Sequence, residues 1–273
     1  MIDALKEAYP IKVLCETLEI ARSTYYDIRP EKPGDQELLE CIETIIMKYP
    51  YYGYRRITHQ LKREGQNVGE TRGKRLLKQL EHTCSVGCIP VSTTDSQHNH
   101  PRYPNLIKKL EITHLNQVWV SDITYIRLGL RFVYLAIILD AYSRGVRGWH
   151  LGRSLDKQLT ISALMKAFAA YPPPDIHHSD QGSQYATPAY TGLFPGTTRI
   201  SMAKRGSPTE NGIVERFIRT LKEEHIDYTE YVGFTDAVKQ IEHWMEIEYM
   251  TERIHSSLDY LTPLEFEMAH VTV

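Results

Sequence analysis

Three carboxylates occupy positions where phosphodiester chemistry is possible. Asp122 lies in an alternating apolar run, Asp180 follows a short apolar stretch, and Glu215 lies near the start of the helix-forming segment 211–222. Clustered carboxylates repel one another unless cations lie between them, so a purely structural role for such a set is unfavourable. Three of them can hold two Mg²⁺ ions roughly 3.5–4 Å apart, one activating the nucleophile and one stabilising the leaving oxygen.

Asp180 by itself admits two interpretations. The stretch "HHSDQGSQY" (177–185) places it just before a Gln-Gly-Ser turn. Aspartate before glycine at a strand-to-helix junction is a common capping residue, so a turn role stays open until other carboxylates converge on this position. The flanking His177 and His178 are expected to pack or to form hydrogen bonds, because the hard ion Mg²⁺ prefers oxygen ligands.

Two cations follow the glutamate on the same predicted helix. Glu215, Arg219 and Lys222 fall at i, i+4 and i+7, so they share one face. We expect Arg219 and Lys222 to bind phosphates beside the scissile bond. The alternative is a solvated helix face without function. Glu210 is a competing carboxylate, but it lies five residues earlier and is expected to face away from these cations.

Four strands and a helix are predicted to position the carboxylates. Strand patterns cover 117–126, 131–140 and 145–151, an amphipathic helix covers 154–170, and a short fourth strand over 175–178 leads to Asp180. Three antiparallel strands, a crossover helix and a fourth strand make a mixed α/β sheet. If the fourth strand pairs beside the first, Asp122 and Asp180 meet at one edge. Asp140 is expected to be structural and to pair with Arg144, with metal contact as the alternative.

The first third of the chain is predicted to be helical. Residues 1–33 resemble a helix-turn-helix segment, and an ordinary helical hairpin is an equal alternative. Residues 34–85 form a second helical unit in which arginines alternate with tyrosines, a composition suited to phosphate contacts. The expected DNA contacts are Arg55, Arg56, Arg72 and Arg75. A solvated helix face stays the alternative for Lys74 and Lys78. Residues 86–112 are expected to be a linker, and 113–273 the α/β unit.

Charge is unevenly distributed along the chain. The formal net charge is -2, but residues 51–110 carry eleven Lys/Arg against four Asp/Glu, and residues 223–273 carry twelve acids against two cations. A basic first half suggests an anionic partner there.

Apolar runs and cysteines bear on the compartment. No apolar run is long enough to span a membrane and the start does not have the pattern of a signal peptide, so a cytoplasmic protein is expected. The four cysteines are scattered, which suits a reducing compartment. The spacing of Cys84 and Cys88 is unusual for structural zinc, although a zinc site there stays an open alternative.

Six motifs together resemble a known family. They are "YGYRRI" (52–57), "VWVSDITYI" (118–126), "YLAIILDAYSRGVRGW" (134–149), "HSDQGSQY" (178–185), "SMAKRGSPTENGIVERFIRTLKEE" (201–224) and "RIHSSLDYLTPLEF" (253–266). The sequence resembles bacterial insertion-sequence transposases with a retroviral-integrase-like Asp-Asp-Glu core. The likeness is to the second-frame product of the group that fuses two overlapping frames by ribosomal frameshifting, and it covers nearly the whole chain.

This resemblance implies a fold, an activity and a site. It implies an RNase H-like core preceded by an all-α helix-turn-helix DNA-binding region, and a polynucleotidyl transferase that cuts and joins DNA strands. Asp122, Asp180 and Glu215 would be its metal-binding triad, and the 34 residues between Asp180 and Glu215 match the family spacing. Two Mg²⁺ ions are the implied cofactor, and Mn²⁺ is expected to substitute.

The resemblance also implies partners and leaves rival functions open. The partners are double-stranded DNA at the element ends and the target, further copies of the chain in a dimer or higher oligomer, and the first-frame product. One departure is Glu210-Asn211-Gly212, where relatives usually have Asp-Asn-Ala. The rival functions are a DNA-binding regulator without catalysis and a nuclease that hydrolyses without joining strands. The sequence cannot separate joining from hydrolysis, because the same two-metal site takes either water or a 3′-hydroxyl as nucleophile.

Overall fold

The computed structural model describes residues 9–22, 34–80, 101–204 and 207–270. The chain divides into two compact units, Met1–Thr83 and Cys84–Val273. Two predictions lie outside the described residues: the second short helix of the 1–33 segment, and the question of zinc at Cys84 and Cys88.

The first unit is helical, as predicted. Helix α1 spans Ile11–Thr17, α2 spans Asp35–Lys48, α3 spans Tyr54–Arg63 and α4 spans Glu70–Gln79. The apolar positions of α2, α3 and α4 are buried together, with Ile42, Ile57, Leu61 and Leu76 fully enclosed.

Helices α3 (Tyr54–Arg63) and α4 (Glu70–Gln79) approach closely at a glycine. A Cβ atom added to Gly73 would lie 2.3 Å from Oγ1 of Thr58. The hydroxyl of Thr58 is not free to rotate away, since it donates to the carbonyl of Tyr54 at 2.7 Å. A side chain at position 73 would therefore separate the two helices, which explains why the sequence has glycine in mid-helix despite its low helix propensity.

The second unit is built on a five-stranded mixed sheet. Strand β1 spans Val118–Leu128, β2 spans Arg131–Asp140, β3 spans Val146–Gly152, β4 spans Ile176–Ser179 and β5 spans Arg199–Met202. The strand order is β3-β2-β1-β4-β5. The first three strands are antiparallel, while β4 is parallel to both β1 and β5. The four predicted strands and their mixed arrangement are confirmed, and β5 is an addition.

Helices cover both faces of this sheet. Helix α5 spans Lys157–Ala170, the short α6 and α7 span Ser183–Ala186 and Pro188–Thr191, α8 spans Gly212–Glu224, α9 spans Phe234–His243 and continues as a π-helix over Trp244–Glu252, and α10 spans Pro263–His270. Alternate residues of β1 face opposite sides: Val118 and Val120 pack with Phe217 of α8, while Trp119 packs with Leu164 of α5. The sheet is thus buried on both faces.

The partner expected for Asp140 was wrong. Asp140 is fully buried, and its ion-pair partner is Arg147, with 3.3 Å between Nη2 and Oδ2. The register between β2 and β3 shifts at this point, because Ile138 pairs with Gly148 while the next residue pairs with Val146. Arg147 is therefore the extra residue of a β-bulge, which redirects its side chain toward Asp140. Arg144 instead lies in the turn with φ of 63°.

Part of the predicted linker belongs to the second unit. Of the range 86–112, residues 101–112 are described, and Leu106, Ile107, Leu110 and Ile112 pack against the apolar cluster on the α8 side of the sheet. Among the described residues, no helix combines the length and the apolar character needed to cross a bilayer.

Candidate active site

Two neighbouring parallel strands bring Asp122 and Asp180 to the same place. In the register of β1 and β4, Ser121 is the partner of Ser179. Each aspartate directly follows its serine, so the two carboxylates lie one register step further along adjacent strands, which run about 4.8 Å apart. The expectation that the fourth strand pairs beside the first is confirmed.

Asp180 also has the turn role that its sequence context suggested. Its Oδ1 accepts the backbone N–H of Gly182 at 2.9 Å. A Cβ atom at Gly182 would lie 2.9 Å from the same oxygen, so glycine leaves room for the carboxylate. The turn hydrogen bond and a place beside Asp122 are therefore compatible, because the turn fixes one oxygen of Asp180 and orients the side chain.

Helix α8 supplies the third carboxylate. Burial first, and then the charges of Asp180 and Glu215, hold the pKa of Asp122 well above its usual range. Burial likewise raises the pKa of Glu215, with Asp180 acting in the same direction and Arg219 opposing. The charges of Asp180 and Glu215 thus act on Asp122, and that of Asp180 acts on Glu215, so the three carboxylates are close enough to interact electrostatically.

The type of ligand suits a hard divalent cation, but the spacing is not that of a completed site. Carboxylate oxygens are the ligands that Mg²⁺ prefers. Across residues 9–22, 34–80, 101–204 and 207–270, no three His, Cys, Asp or Glu side chains converge closely enough to hold a metal ion.

Lys222 borders the carboxylates, and Arg219 lies near Glu215. The ammonium of Lys222 lies 4.5 Å from the ring centroid of Tyr125, a cation–π distance. Its charge also lowers the pKa of Asp122, against the larger effects that raise it. Arg219 is exposed to solvent and acts on the pKa of Glu215. The i, i+4, i+7 spacing therefore directs both cations toward the carboxylate cluster.

Glu210 is held elsewhere. Its Oε2 accepts the amide Nδ2 of Asn105 at 2.9 Å and the backbone N–H of Lys204 at 2.8 Å. Oε1 lies 3.5 Å from the ammonium of Lys108. The Lys204 N–H, then Asn105, hold the pKa of Glu210 below its usual range. These contacts anchor the loop ahead of α8 and leave Glu215 as the glutamate near the aspartates.

The two histidines form internal hydrogen bonds. Nε2 of His177 lies 3.0 Å from the hydroxyl of Tyr190 and 3.2 Å from that of Ser121. Burial lowers the pKa of His177 to about 3 and that of His178 to about 4, so both rings are neutral at pH 7. These contacts agree with the expected packing and hydrogen-bonding roles.

Sequence reasoning missed the aromatic wall of the site. A pocket beside Asp122 and Asp180 is lined by Tyr125, Tyr134 and Tyr185, with further apolar and polar side chains. The one signal available in the sequence was the nearness of Tyr125 to Asp122 and of Tyr185 to Asp180. These rings come from β1, β2 and α6, so only the fold assembles them.

The four arginines expected to contact DNA differ in their surroundings. Arg72 and Arg75 both form ion pairs with Asp35, which is buried. Arg55 is exposed and lies over the ring of Tyr54, and Arg56 is half-buried over the ring of Tyr52. The structure therefore gives Arg72 and Arg75 an internal contact, and their contact with DNA stays a prediction.

Comparison with known proteins identifies related sequences. Families described as Integrase core domain match residues 113–208 and 197–263, and a family described as HTH-like domain matches 33–86. The insertion element IS600 31 kDa protein of Shigella sonnei is 34% identical over 263 residues, covering 93% of this chain and 97% of that protein. The transposase for insertion sequence element IS904 of Lactococcus lactis is 35% identical, covering 60% of this chain and 66% of that protein.

Among solved structures, the HTLV-2 integrase catalytic core domain in complex with magnesium is 17% identical, with a TM-score of 0.43, and the match covers 56% of this chain and 97% of that one. The HTH-like match falls on the predicted unit 34–85, while a helix-turn-helix within 1–33 stays a prediction. With a helical HTH-like region ahead of a five-stranded integrase core, and a relative that is 34% identical over 93% of this chain, the chain belongs to the family of insertion-sequence transposases.

Proposed function

We propose that this chain is a polynucleotidyl transferase that cleaves DNA at the ends of an insertion sequence and joins those ends to a target. The observation that supports the proposal is the position of Asp122 and Asp180 at the same place on two neighbouring strands, with Glu215 of α8 close enough to act on the pKa of Asp122. Neighbouring carboxylates repel one another unless a cation lies between them. Membership of the transposase family agrees with this chemistry.

The three carboxylates would hold two Mg²⁺ ions, or Mn²⁺ in their place. When bound, such ions activate the attacking oxygen and stabilise the charge that develops on the leaving oxygen. Asp180 would contribute its carboxylate to the ions while the N–H of Gly182 holds its Oδ1 in place. The Tyr125, Tyr134 and Tyr185 wall would limit water around the reacting phosphate.

Two oxygen–phosphorus exchanges would follow. In the first, a water oxygen attacks the phosphorus at the element end, and the 3′ oxygen leaves as a 3′-hydroxyl. In the second, this hydroxyl attacks a phosphodiester of the target, so one P–O bond forms as another breaks. Arg219 and Lys222 would hold the neighbouring phosphates by charge-assisted hydrogen bonds during both exchanges.

The first unit would bind double-stranded DNA at the element ends. Its candidate DNA contacts are the exposed Arg55, the half-buried Arg56, and Arg72 and Arg75, whose guanidinium groups also pair with Asp35. Phosphate contacts release counterions, so affinity should fall steeply as salt rises. Salt-insensitive binding would remove this assignment.

Further copies of the chain and the first-frame product are proposed to complete the working complex.

The decisive experiment incubates the full chain with labelled element ends, target DNA and Mg²⁺, and separates cut from joined products. Asp122→Asn, Asp180→Asn and Glu215→Gln should each abolish both products while DNA binding survives, because each change keeps the shape and removes a charge that the metal ions need. The matched control is Glu210→Gln, which keeps an acceptor for Asn105 and should retain activity.

The other outcomes identify the rival functions. Cut products without joined products would indicate a hydrolytic nuclease. Binding without either product, with the first-frame product supplied, would indicate a regulator. Activity in Glu215→Gln but not in Glu210→Gln would exchange the roles of the two glutamates.

A further inference from the structure

The position of Glu215 depends on how its helix begins. A 3₁₀ turn over Pro208–Asn211 leads directly into α8, and Asn211 occupies the N-cap position. An N-cap asparagine normally accepts a backbone N–H from the first turn of its own helix. Asn211 forms no such bond. Its side chain is used for a different contact.

The amide of Asn211 reaches the first aspartate strand. Its Nδ2 donates to the backbone carbonyl of Ser121 at 3.1 Å, and the side chain is buried. Ser121 directly precedes Asp122 in β1. The other amide atom, Oδ1, is buried without a hydrogen-bond partner among the described residues. An unsatisfied buried acceptor is unfavourable, so this orientation keeps the contact with β1 against the preference of Oδ1.

A second hydrogen bond ties the same turn to the other aspartate strand. Nε2 of His178 lies 3.1 Å from the carbonyl oxygen of Glu210, and Nδ1 lies 2.8 Å from the hydroxyl of Ser201. That hydroxyl already accepts the N–H of Leu106 at 2.9 Å, so its own hydrogen is available to Nδ1. The carbonyl oxygen of Glu210 can only accept, so Nε2–H donates to it and Nδ1 accepts the Ser201 hydroxyl. His178 lies two residues before Asp180 in β4.

We propose that His178 and Asn211 are positioning residues that register the Glu215 helix against the two aspartate strands. One contact is adjacent to Asp122 and the other is close to Asp180, so together they fix the start of α8 relative to both. This inference rests on the proposed function, because it assigns a purpose to the distances among the three carboxylates. Neither residue touches the reacting atoms.

The position of the donor on the His178 ring allows a test that separates loss of this hydrogen bond from loss of packing. The amide nitrogen of glutamine reaches the place of Nε2 in histidine, whereas that of asparagine reaches only the place of Nδ1. His178→Gln should therefore keep the donor to Glu210, and His178→Asn should lose it. Asn211→Ala removes the other contact. Thr198→Ala is the matched control, since it removes a side-chain hydrogen bond of 2.6 Å to the carbonyl of Pro174, before β4 begins and therefore away from Asp180.

Two quantities are measured on the full chain. One is the Mg²⁺ concentration that gives half of the metal-induced rise in melting temperature, and the other is the rate of joining labelled element ends. Losing a group that orients metal ligands typically weakens metal binding about 10–100-fold, so His178→Asn and Asn211→Ala should raise the half-saturating Mg²⁺ at least about tenfold. Joining at fixed Mg²⁺ should fall by a similar factor, and excess Mg²⁺ should partly restore it.

The comparisons among variants decide the outcome. The inference is supported if His178→Gln stays within about threefold of the unmodified protein while His178→Asn does not, since glutamine keeps the donor to Glu210 and asparagine loses it. Equal behaviour of these two variants would overturn it, as would an equal loss in Thr198→Ala. If the unmodified protein neither responds to Mg²⁺ nor joins DNA, the proposed function fails and this inference fails with it. Normal joining by Asn211→Ala would overturn the inference alone.

Discussion

Replacing Arg72 and Arg75 together by alanine should unfold the first unit. Asp35 begins α2 and is 2% exposed, with both guanidinium groups against its carboxylate. Breaking a buried ion pair by removing one side costs about 3–5 kcal/mol. A small domain has about 5–15 kcal/mol of unfolding free energy in total, and a helical unit of this size lies near the lower end. Most of the stability of this unit should therefore be lost.

Hydrogen–deuterium exchange on the full chain measures this effect unit by unit. In the double variant, the amides of α2, α3 and α4 should exchange about 10²–10⁴-fold faster, because 3–5 kcal/mol corresponds to about two to four factors of ten in the opening equilibrium. Amides of the sheet in the second unit should be unchanged. Arg55→Ala is the control, since this exposed cation is not ion-paired to Asp35 and its loss should change exchange little.

A third variant separates folding from DNA contact. Replacing Asp35 by leucine and both arginines by methionine removes the buried charges together, and such apolar replacements of buried ion pairs are often neutral or stabilising. This variant should fold and should retain most DNA affinity if Arg55 and Arg56 provide the main contacts. Exchange in the double alanine variant as slow as in the unmodified protein would refute the reasoning and would restore Arg72 and Arg75 as candidates for DNA contact.

The sequence was sufficient to predict the sheet that positions the aspartates. The runs around Val118 and Ile137 are apolar over lengths typical of buried strands, and the triple proline at 172–174 separates the crossover helix from β4. These signals are local, so they can be identified in the sequence without knowledge of the fold. The placement of Asp122 beside Asp180 followed from one further step, the pairing of the first and fourth strands.

Contacts between distant residues could not be predicted in the same way. The turn around Asp140 offered Arg144 as the nearest cation, but a β-bulge brings Arg147 to it instead. A bulge adds one residue and has no clear signature in the local pattern. Strand β5 has four residues, too few for alternation to distinguish it from a loop.

The same limit applies to the basic residues of the first unit. Arg72 and Arg75 look like Arg55 in sequence, since each lies on a charged helix surface next to apolar positions. Their partner Asp35 is 37 and 40 residues away. Only the packing of α4 against α2 shows that the buried carboxylate of Asp35 pairs with Arg72 and Arg75, two of these three arginines. A cation count thus predicts a basic unit, but not which cations are available to DNA.

Further predictions concern the second unit. Gly182→Ala should displace the Asp180 carboxylate and lower joining about 10²-fold with little change in melting temperature, while Gly196→Ala, where a Cβ meets nothing within 4 Å, should join normally. Arg219→Ala and Lys222→Ala should keep the melting temperature and lose most joining, and equal joining rates would show a merely solvated face. Tyr125→Leu should weaken binding of element ends by about 0.5–2 kcal/mol through Lys222, and Tyr125→Phe should not. Acid should destabilise this unit through His225.

Burial lowers the pKa of His225 to about 4, and the charge of His243 acts in the same direction. In the unfolded chain the pKa of histidine is near 6.5. Between about pH 6.5 and 4, therefore, His225 is protonated in the unfolded state and mostly neutral in the folded state. The unfolding free energy should therefore fall as pH decreases through this window, by about 2 kcal/mol from pH 6.5 to 5. Above pH 7 both states are neutral at this ring, and the effect vanishes.

His225→Phe tests this contribution against the other buried histidines. The ring of His225 stacks on Trp244 with 5.9 Å between centroids, and its Nε2 has no hydrogen-bond partner among the described residues, so phenylalanine keeps the packing and removes the titration. All three tryptophans lie in the second unit, so their fluorescence follows its urea unfolding alone. The loss between pH 7 and 5 should shrink by about 2 kcal/mol in this variant, and not in His114→Phe, which changes an exposed ring. An unchanged loss in His225→Phe would mean that this ring is protonated in the folded state as readily as in the unfolded chain.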